Sequence, residues 1–387
     1  MDCFASDSVL YFTSVKRTLF DPLTISARSA ASCWLQGLEI EEIINMRKIT
    51  RRSFLTAAAA CGAAAALSAC GGSSSASSAA ASSTVASASV AAASNGEKFT
   101  VGICQLVQHA ALDAATQGFE DALTASFGEN VTFDFQNAQG DSATCATIAN
   151  GFVSSGVALI MANATPALQA AQSATNEIPV LGTSVTEYGV ALGLTDFSGT
   201  VGGNISGTSD LAPLDQQAAM IQGLFPDAKS VGLLYCSAEP NSVYQCDVIE
   251  GYLPEEGYTV ARYAFTDTND VTSVAQTAAD NSDVIYIPTD NTAASNTEAI
   301  ANVLVPAGVP AICGEEGICK GCGVATLSIS YYDLGVTTGK MAAKILTGEA
   351  SVSEMPIEFT EATPKYNASM CETLGIEPLE GYTAIEE

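Results

Sequence analysis

The hydrophobic pattern of this chain is carried by two similar stretches 125 residues apart. In the later one, Val284, Ile285, Tyr286 and Ile287 form an unbroken apolar run of strand length. Pro288, with no N–H to give a ladder, ends it, and residues 293–303 then take up a helical period. Thr289, Asp290 and Asn291 therefore sit where a strand's carboxyl end meets a helix's amino end, which is where open α/β sheets bind ligands. Taken alone, Asp290 or Asn291 reads better as the N-cap of that helix. The earlier stretch has the same order: a strand at 158–162, then Asn163, Ala164 and Thr165, then a helix at 166–175. It sets Thr165 against Asp290 as equivalents in two repeats.

The rest of the chain extends the duplication. Residues 99–107 predict a strand and 112–126 a helix with Leu112, Ala115, Phe119 and Leu123 on one face. Strand 131–135, helix 143–153 and, after 166–175, strand 179–182 follow. Beyond a junction near 207–213 the series recurs as strand 231–235, helix 243–253, strand 258–265, helix 274–280, strand 284–287, helix 293–303 and strand 310–313. Residues 325–348 add a strand and a Gly/Ala-rich helix, expected on the first lobe; the tail after Met355 has no clear pattern. Alternating strands and helices predict parallel sheets covered by helices. The fold class is thus α/β: two lobes, each a parallel sheet flanked by helices, with a ligand cleft between facing strand ends. The boundaries are 98–210 plus about 326–350 for lobe one, and 211–325 plus part of the tail for lobe two.

The amino-terminal quarter reads differently. Residues 46–55 hold a basic head, an Ala/Leu-rich run too short to span a bilayer follows from Phe54, and Leu67, Ser68 and Ala69 precede Cys70. This order has the shape of a bacterial lipoprotein signal peptide, 46–70, with Cys70 as the lipidated residue. Thr50 to Leu55 also resembles a twin-arginine export signal, though the Arg pair fits an ordinary basic head equally well. Residues 1–45 are read as an over-called leader, with Met46 as the start. Residues 71–97, nearly all Gly, Ser and Ala, form a flexible tether.

Of the chain's 14 Lys and Arg and 42 Asp and Glu, seven and six lie at or before Cys70. The remainder therefore carries seven cations against 36 anions, a net charge of −29. Such a field repels nucleic acid and anionic headgroups.

The loops at the strand ends bring together Gln108 and His109; Asn137 and Asp141; Thr165; Ser184; and Asp210 from the first half. From the second half come Glu239, Asn241 and Ser242; Thr289, Asp290 and Asn291; and Glu315 and Glu316, with Tyr331 and Tyr332 as candidate walls. These segments, in unbroken order over roughly 99–350, resemble the tryptophan/tyrosine-type substrate-binding proteins of bacterial ABC transporters. The matching residues are Gln108, His109, Leu112 and Asp113 with Gly118 and Phe119; 136–141; 164–166; 207–210; Tyr235 with Glu239, Asn241 and Ser242; 288–292; 314–317; and Tyr331, Tyr332 and Gly335. Ala110 and the cysteines at 319 and 322 depart from the pattern. The resemblance implies a type I periplasmic-binding fold, an aromatic or large apolar amino acid as ligand, an ABC permease as partner and no cofactor. It also implies a monomer lipid-anchored to the outer face of the cytoplasmic membrane.

The side chains support a zwitterionic ligand in their own right. Thr165 and Ser184 place hydroxyls near helix starts, where the dipole favours a carboxylate, and Asp290, Glu315 and Glu316 offer charge for an ammonium group. Asp290 and Thr165 are expected to face each other and hold opposite ends of one ligand. Among the body's cations only Lys320 lies near a cleft loop, which argues against phosphate, sulfate or dicarboxylates, all of which want Arg clamps. The sole Trp, Trp34, lies in the leader, so an indole for stacking sugars is absent from the body. With His109 the only His, neither a His-dependent triad nor a multi-histidine metal site is available. Cys313, Cys319 and Cys322 have metal-like spacing, but export favours a disulfide or free thiols. Two alternatives stay open: the same scaffold with a branched amino acid or nucleoside, and an exported acid–base hydrolase built on Glu315 and Glu316.

Overall fold

The computed structural model describes residues 98–386; the readings of residues 1–97 as leader, signal and tether lie outside the described residues. The chain starts with strand β1 (Phe99–Gln105), helix α1 (Ala110–Phe127), β2 (Val131–Asn137), α2 (Ser142–Ser155), β3 (Leu159–Asn163), α3 (Thr165–Ala174), β4 (Val180–Val185), α4 (Tyr188–Leu192) and β5 (Ile205–Ser209). Helix α5 (Leu214–Leu224) leads into β6 (Ser230–Cys236), α6 (Pro240–Tyr252), β7 (Thr259–Phe265), α7 (Val271–Asn281), β8 (Val284–Ile287), α8 (Asn291–Ala294), α9 (Thr297–Ala307), β9 (Ala311–Cys313), α10 (Glu316–Cys322) and β10 (Ala325–Ser328). Last come α11 (Tyr331–Leu346), β11 (Glu358–Phe359), β12 (Thr363–Tyr366), α12 (Ala368–Leu374) and β13 (Thr383–Ala384).

Two sheets result, with the same internal order. Sheet one runs β2-β1-β3-β4-β5-β11 and is parallel throughout; sheet two runs β7-β6-β8-β9-β10-β12-β13, with β10 and β12 antiparallel. The duplicated α/β architecture expected from the sequence is the one observed. The inner strands β3, β4, β8, β9 and β10 bury both faces, which is why runs such as those of β3 and β8 read as continuously apolar. In sheet one Val101, Ile103, Leu159 and Met161 pack beneath α1 and α11, while Cys104, Ile160 and Ala162 meet Phe152 and Leu168 on the other side. In sheet two Val231, Leu233 and Tyr286 take one face, and Leu234, Ile285 and Ile287 the other.

The chain crosses between sheets three times: at 210–213, at 329–330 and at 360–362. The second crossing splits one expected unit, because β10 belongs to sheet two while α11 packs on α1 beside sheet one. That helix pair is unusually close. A Cβ added at Gly335 would lie 2.0 Å from the carbonyl oxygen of Ala115, and one at Gly118 would lie 2.1 Å from that of Tyr332. Three buried hydroxyls, Thr183, Thr208 and Thr338, join α11 to β4 and β5 at 2.9–3.1 Å.

Some elements differ from the sequence reading. The helix expected over 293–303 is two, α8 and α9. Between them the Asn296 amide donates to the Thr292 carbonyl at 2.7 Å, substituting for a backbone donor and breaking the ladder. Strand β5, with the sequence Ile-Ser-Gly-Thr-Ser, lacks an apolar run, and the tail strands hold only two to four residues each.

Gly335→Ala tests the helix contact. The clash is with backbone, which has no rotamer to yield, so the variant should lose at least about 2 kcal/mol and melt several degrees lower by calorimetry. Gly151, inside α2 with nothing within 4 Å of an added Cβ, is the control. Gly151→Ala should leave stability unchanged or raise it by about 0.5–1 kcal/mol. Equal melting of Gly335→Ala and wild type would refute the packing argument.

Candidate functional site

The carboxyl ends of the two sheets meet across a cleft holding two neighbouring cavities. The inner recess has about 270 Å³ of empty space, open solvent included, and is lined by His109, Leu112, Ser184, Thr186, Asp210, Asn241, Thr289, Asp290, Asn291, Ala294, Glu315 and Tyr331. The outer chamber has about 700 Å³ on the same measure. Leu106, Val107, Pro166 and Ala238 give it an apolar lining, with Gln139, Asp267, Thr268 and Asn296 among its polar residues. Asn291 lines both.

From sheet one, α1 aims its amino end at the recess. Gln105, at the end of β1, fixes that end: its amide donates to the Asp113 carboxylate at 2.7 Å, and its carbonyl accepts from Thr116. His109 is the N-cap residue but gives no side-chain cap. Its ring instead spans the cleft to Asn291, Nε2 to Oδ1 at 3.3 Å. Since the Asn291 amide nitrogen donates to Glu239, its Oδ1 accepts and His109 is the donor. Burial holds the His109 pKa below its ordinary value, partly opposed by that hydrogen bond. At the end of β4 the register shifts between Gly182 and Val185. Ser184 there sits at φ 53°, a left-handed conformation that costs a serine stability and clusters at functional sites. Its buried hydroxyl has no partner.

Asp210 follows β5 on the first crossing and is 3% exposed. Tyr331, the first residue of α11 after the second crossing, donates its hydroxyl to Asp210 Oδ2 at 3.0 Å, and Oδ1 is left without a partner. Burial pushes the Asp210 carboxyl up to about 6, against the Tyr331 hydrogen bond and the nearby Thr186 hydroxyl.

Sheet two brings three more buried acids, and all three act as helix caps. Asp290 accepts from the Ala293 N–H of α8 at 2.8 Å and from the Cys236 N–H at 2.7 Å, one on each oxygen. Glu239 accepts from the N–H groups of Asn291 and Thr292 and from both their side chains. Glu315 takes the N–H groups of Gly317 and Ile318 at the start of α10. Burial pushes Glu315 up to about 7 against those bonds; burial, then the charge of Glu239, raises Asp290.

The expected residues therefore separate. The recess gathers His109, Ser184, Asp210, Asn241, Thr289, Asp290, Asn291, Glu315 and Tyr331. Glu239 lines the outer chamber, and Ser242 supports the Asp290 carboxylate from behind. Thr165 is buried at the start of α3 beside Pro166 of the outer chamber, but does not line the recess. The expected Asp290–Thr165 pair across one ligand is replaced by a different arrangement, because both Asp290 oxygens are held by backbone. Gln108 is exposed, Asn137 accepts from the Gln139 N–H, and Asp141 caps α2. Glu316 pairs with Lys365, and Tyr332 is exposed and bonded to Asp121. Glu315 and Glu316 thus point to different partners, which removes the carboxylate pair a hydrolase would need. Thr186 and Ala294 line the recess without having been singled out, and Leu112, named on the helix face and in the family pattern, lines it too; Thr186 was visible as part of a polar strand-end loop. Cys313, Cys319 and Cys322 are buried free thiols, and no group of His, Cys, Asp or Glu among the described residues is placed to hold a metal ion.

Comparison with known proteins gives the family. Residues 100–380 match the family described as ABC transporter substrate binding protein, and residues 48–68 match the twin-arginine translocation signal sequence. A tyrosine-binding protein of Clostridioides difficile (strain R20291) is 36% identical over 281 residues, covering 70% of this chain and 81% of that protein. An ABC domain in complex with L-Trp from Streptococcus pneumonia superposes with a TM-score of 0.71 at 31% identity, covering 75% of this chain and 100% of that one. The ligand-free, open structure of a substrate binding protein with adhesive properties from Clostridium difficile has a TM-score of 0.58 at 37% identity, over 74% and 99%.

The buried acids fix a pH dependence. Asp210, Asp290 and Glu315 have folded pKa values above their unfolded ones, so the folded state retains protons that the unfolded state has released. Stability then falls as pH rises from about 4 through the folded values near 6 and 7, by about 1.4 kcal/mol per pH unit for each group inside its window. Ligand-free protein should unfold at lower denaturant at pH 8 than at pH 5. Asp210→Asn should flatten the slope between pH 4 and 6. An unchanged slope in that variant would show Asp210 to be solvated.

Proposed function

This chain belongs to the ABC transporter substrate binding protein family, and we propose that it is an exported, lipid-anchored receptor that closes around a free aromatic amino acid and delivers it to an ABC importer. The relatives are binding proteins rather than enzymes, and the twin-arginine signal indicates export. The observation that carries the ligand reading is the pair of unpartnered polar atoms on the sheet-one side of the recess. One is a carboxylate oxygen, Asp210 Oδ1, and the other a hydroxyl, Ser184 Oγ. A buried acceptor and donor left unmet cost stability unless a ligand meets them. An α-amino acid supplies both complements.

The ammonium group sits at Asp210, in a recess lined by three buried acids and no Lys or Arg. The carboxylate sits between the Ser184 hydroxyl and the amino end of α1, where no side chain competes for the first N–H groups. The side chain extends over Leu106, Val107, Pro166 and Ala238 of the outer chamber. Hinge closure at the three crossings is supported by the His109–Asn291 bond across the cleft. It is supported too by the shape, which lies nearer the L-Trp complex than the open, ligand-free relative, although the latter is more similar in sequence. The residues around Cys70 support lipidation there, with 71–97 as tether and the body divided at the crossings into lobes near 98–210 with 331–359, and 214–328 with 363–386.

Asp210→Asn keeps shape and removes charge, so it should weaken binding of L-tryptophan or L-tyrosine by about 10- to 150-fold in calorimetry. Ser184→Ala should weaken it less, because backbone donors remain. Asp290→Asn should lower the melting temperature more than the affinity, as befits a cap. Wild-type affinity in Asp210→Asn, measured across the aromatic amino acids, would overturn the assignment.

The anchor is tested separately. Intact mass of membrane-fraction protein should give a chain beginning at a diacylated Cys70; a mature form that retains residues 46–69 contradicts it.

A further inference from the structure

Resting on that reading of the recess, we propose that Asn241 is the residue by which lobe two recognises the ligand's ammonium group, and that this contact makes closure depend on the amine. Asn241 is the second residue of α6 and is 5% exposed. Its amide nitrogen donates to the Thr289 carbonyl at 3.1 Å and faces Glu239 Oε2 and Ser242 Oγ at 3.3 Å. Turning the amide over would press its oxygen against a carbonyl and a carboxylate, so the orientation is fixed by its surroundings. Oδ1 is therefore the atom left over: it is buried with no partner, on a residue that lines the recess.

The carboxylate oxygens of that lobe around the recess each already accept a hydrogen bond. Glu239, Asp290 and Glu315 spend their oxygens on helix caps and neighbouring N–H groups, leaving Asn241 Oδ1 as the unpartnered buried side-chain acceptor that lobe two offers the recess among the described residues. Ser184, Asp210 and the start of α1 all belong to the sheet-one side, so a ligand docked there meets lobe two through its ammonium end. One N–H goes to Asp210 Oδ1 and another to Asn241 Oδ1, which ties the lobes together. A carboxylic acid without the amine brings no donor to Asn241 and sets its charge against the acids of lobe two. Such a ligand docks on lobe one and does not draw the other across.

The test pairs calorimetry with small-angle X-ray scattering on the mature chain, using L-tryptophan and its deaminated counterpart, 3-(indol-3-yl)propionate. L-tryptophan should reduce the radius of gyration. The deaminated acid should bind at least about 100-fold more weakly, in line with two lost charge-assisted hydrogen bonds, and at saturation leave the radius at its ligand-free value. Asn241→Ala should bind L-tryptophan about tenfold or more weakly and not contract. Should that variant unfold, the two ligands on wild type still decide. Contraction with the deaminated acid, contraction of Asn241→Ala equal to wild type, or no contraction with L-tryptophan would each overturn the proposal. If Asp210→Asn binds L-tryptophan as wild type does, the ammonium site itself is misplaced and both readings fall. If Asp210 matters and Asn241→Ala closes normally, only this inference falls.

Discussion

Negative charge buried without a counter-ion is the constraint on which this cleft is built. Asp210, Glu239, Asp290 and Glu315 are all buried around it, and no lysine or arginine lines the inner recess. An isolated buried carboxylate is costly, so each must be met by hydrogen bonds or hold its proton. Lobe two meets the cost with helix amino ends. Glu239 and Asp290 both serve α8, a helix of a single turn, and Glu315 serves α10. Lobe one leaves Asp210 half met, by Tyr331 alone among side chains at hydrogen-bond distance. The asymmetry separates acids that hold the fold from one poised for something outside it.

The same tyrosine ties that site to the frame. Tyr331 begins α11 immediately after the second crossing, and Asp210 opens the first, so their hydrogen bond joins two of the three strands of chain between the lobes. Below it, α11 is held to α1 by glycine contacts too close for any side chain, and to β4 and β5 by the threonine hydroxyls. The hinge therefore rests on a rigid lobe one. In the proposed reading, closure moves lobe two toward a site whose carboxylate half is already assembled.

Much of the frame was legible in the sequence because parallel strands buried on both faces announce themselves as apolar runs. Val284 to Ile287 and Leu159 to Ala162 stood out for this reason. Elements whose stability comes from packing rather than period were not legible: β5 is half polar, yet it is buried along its whole length between β4 and β11. The strand-end loops marked nine of the recess residues. Spacing gave no sign that Glu316 and Tyr332 turn away, because each follows a residue of the same type that turns in.

The hardest distinction was between a cap and a contact, since an acid at a strand end suits both. What separates Asp290 from Asp210 is the chain that follows. After Asp290 the backbone turns at once into α8, and its free N–H groups come within reach of the side chain. After Asp210 come Leu211, Ala212 and Pro213 before α5 begins at Leu214. No helix amino end reaches back to Asp210, and proline offers no N–H in any case. The carboxylate most firmly met by its own backbone is the one with least to offer a ligand. In a duplicated α/β protein, the acid followed by a non-helical stretch is therefore the better candidate for binding, and the one followed directly by a helix is the better candidate for a cap.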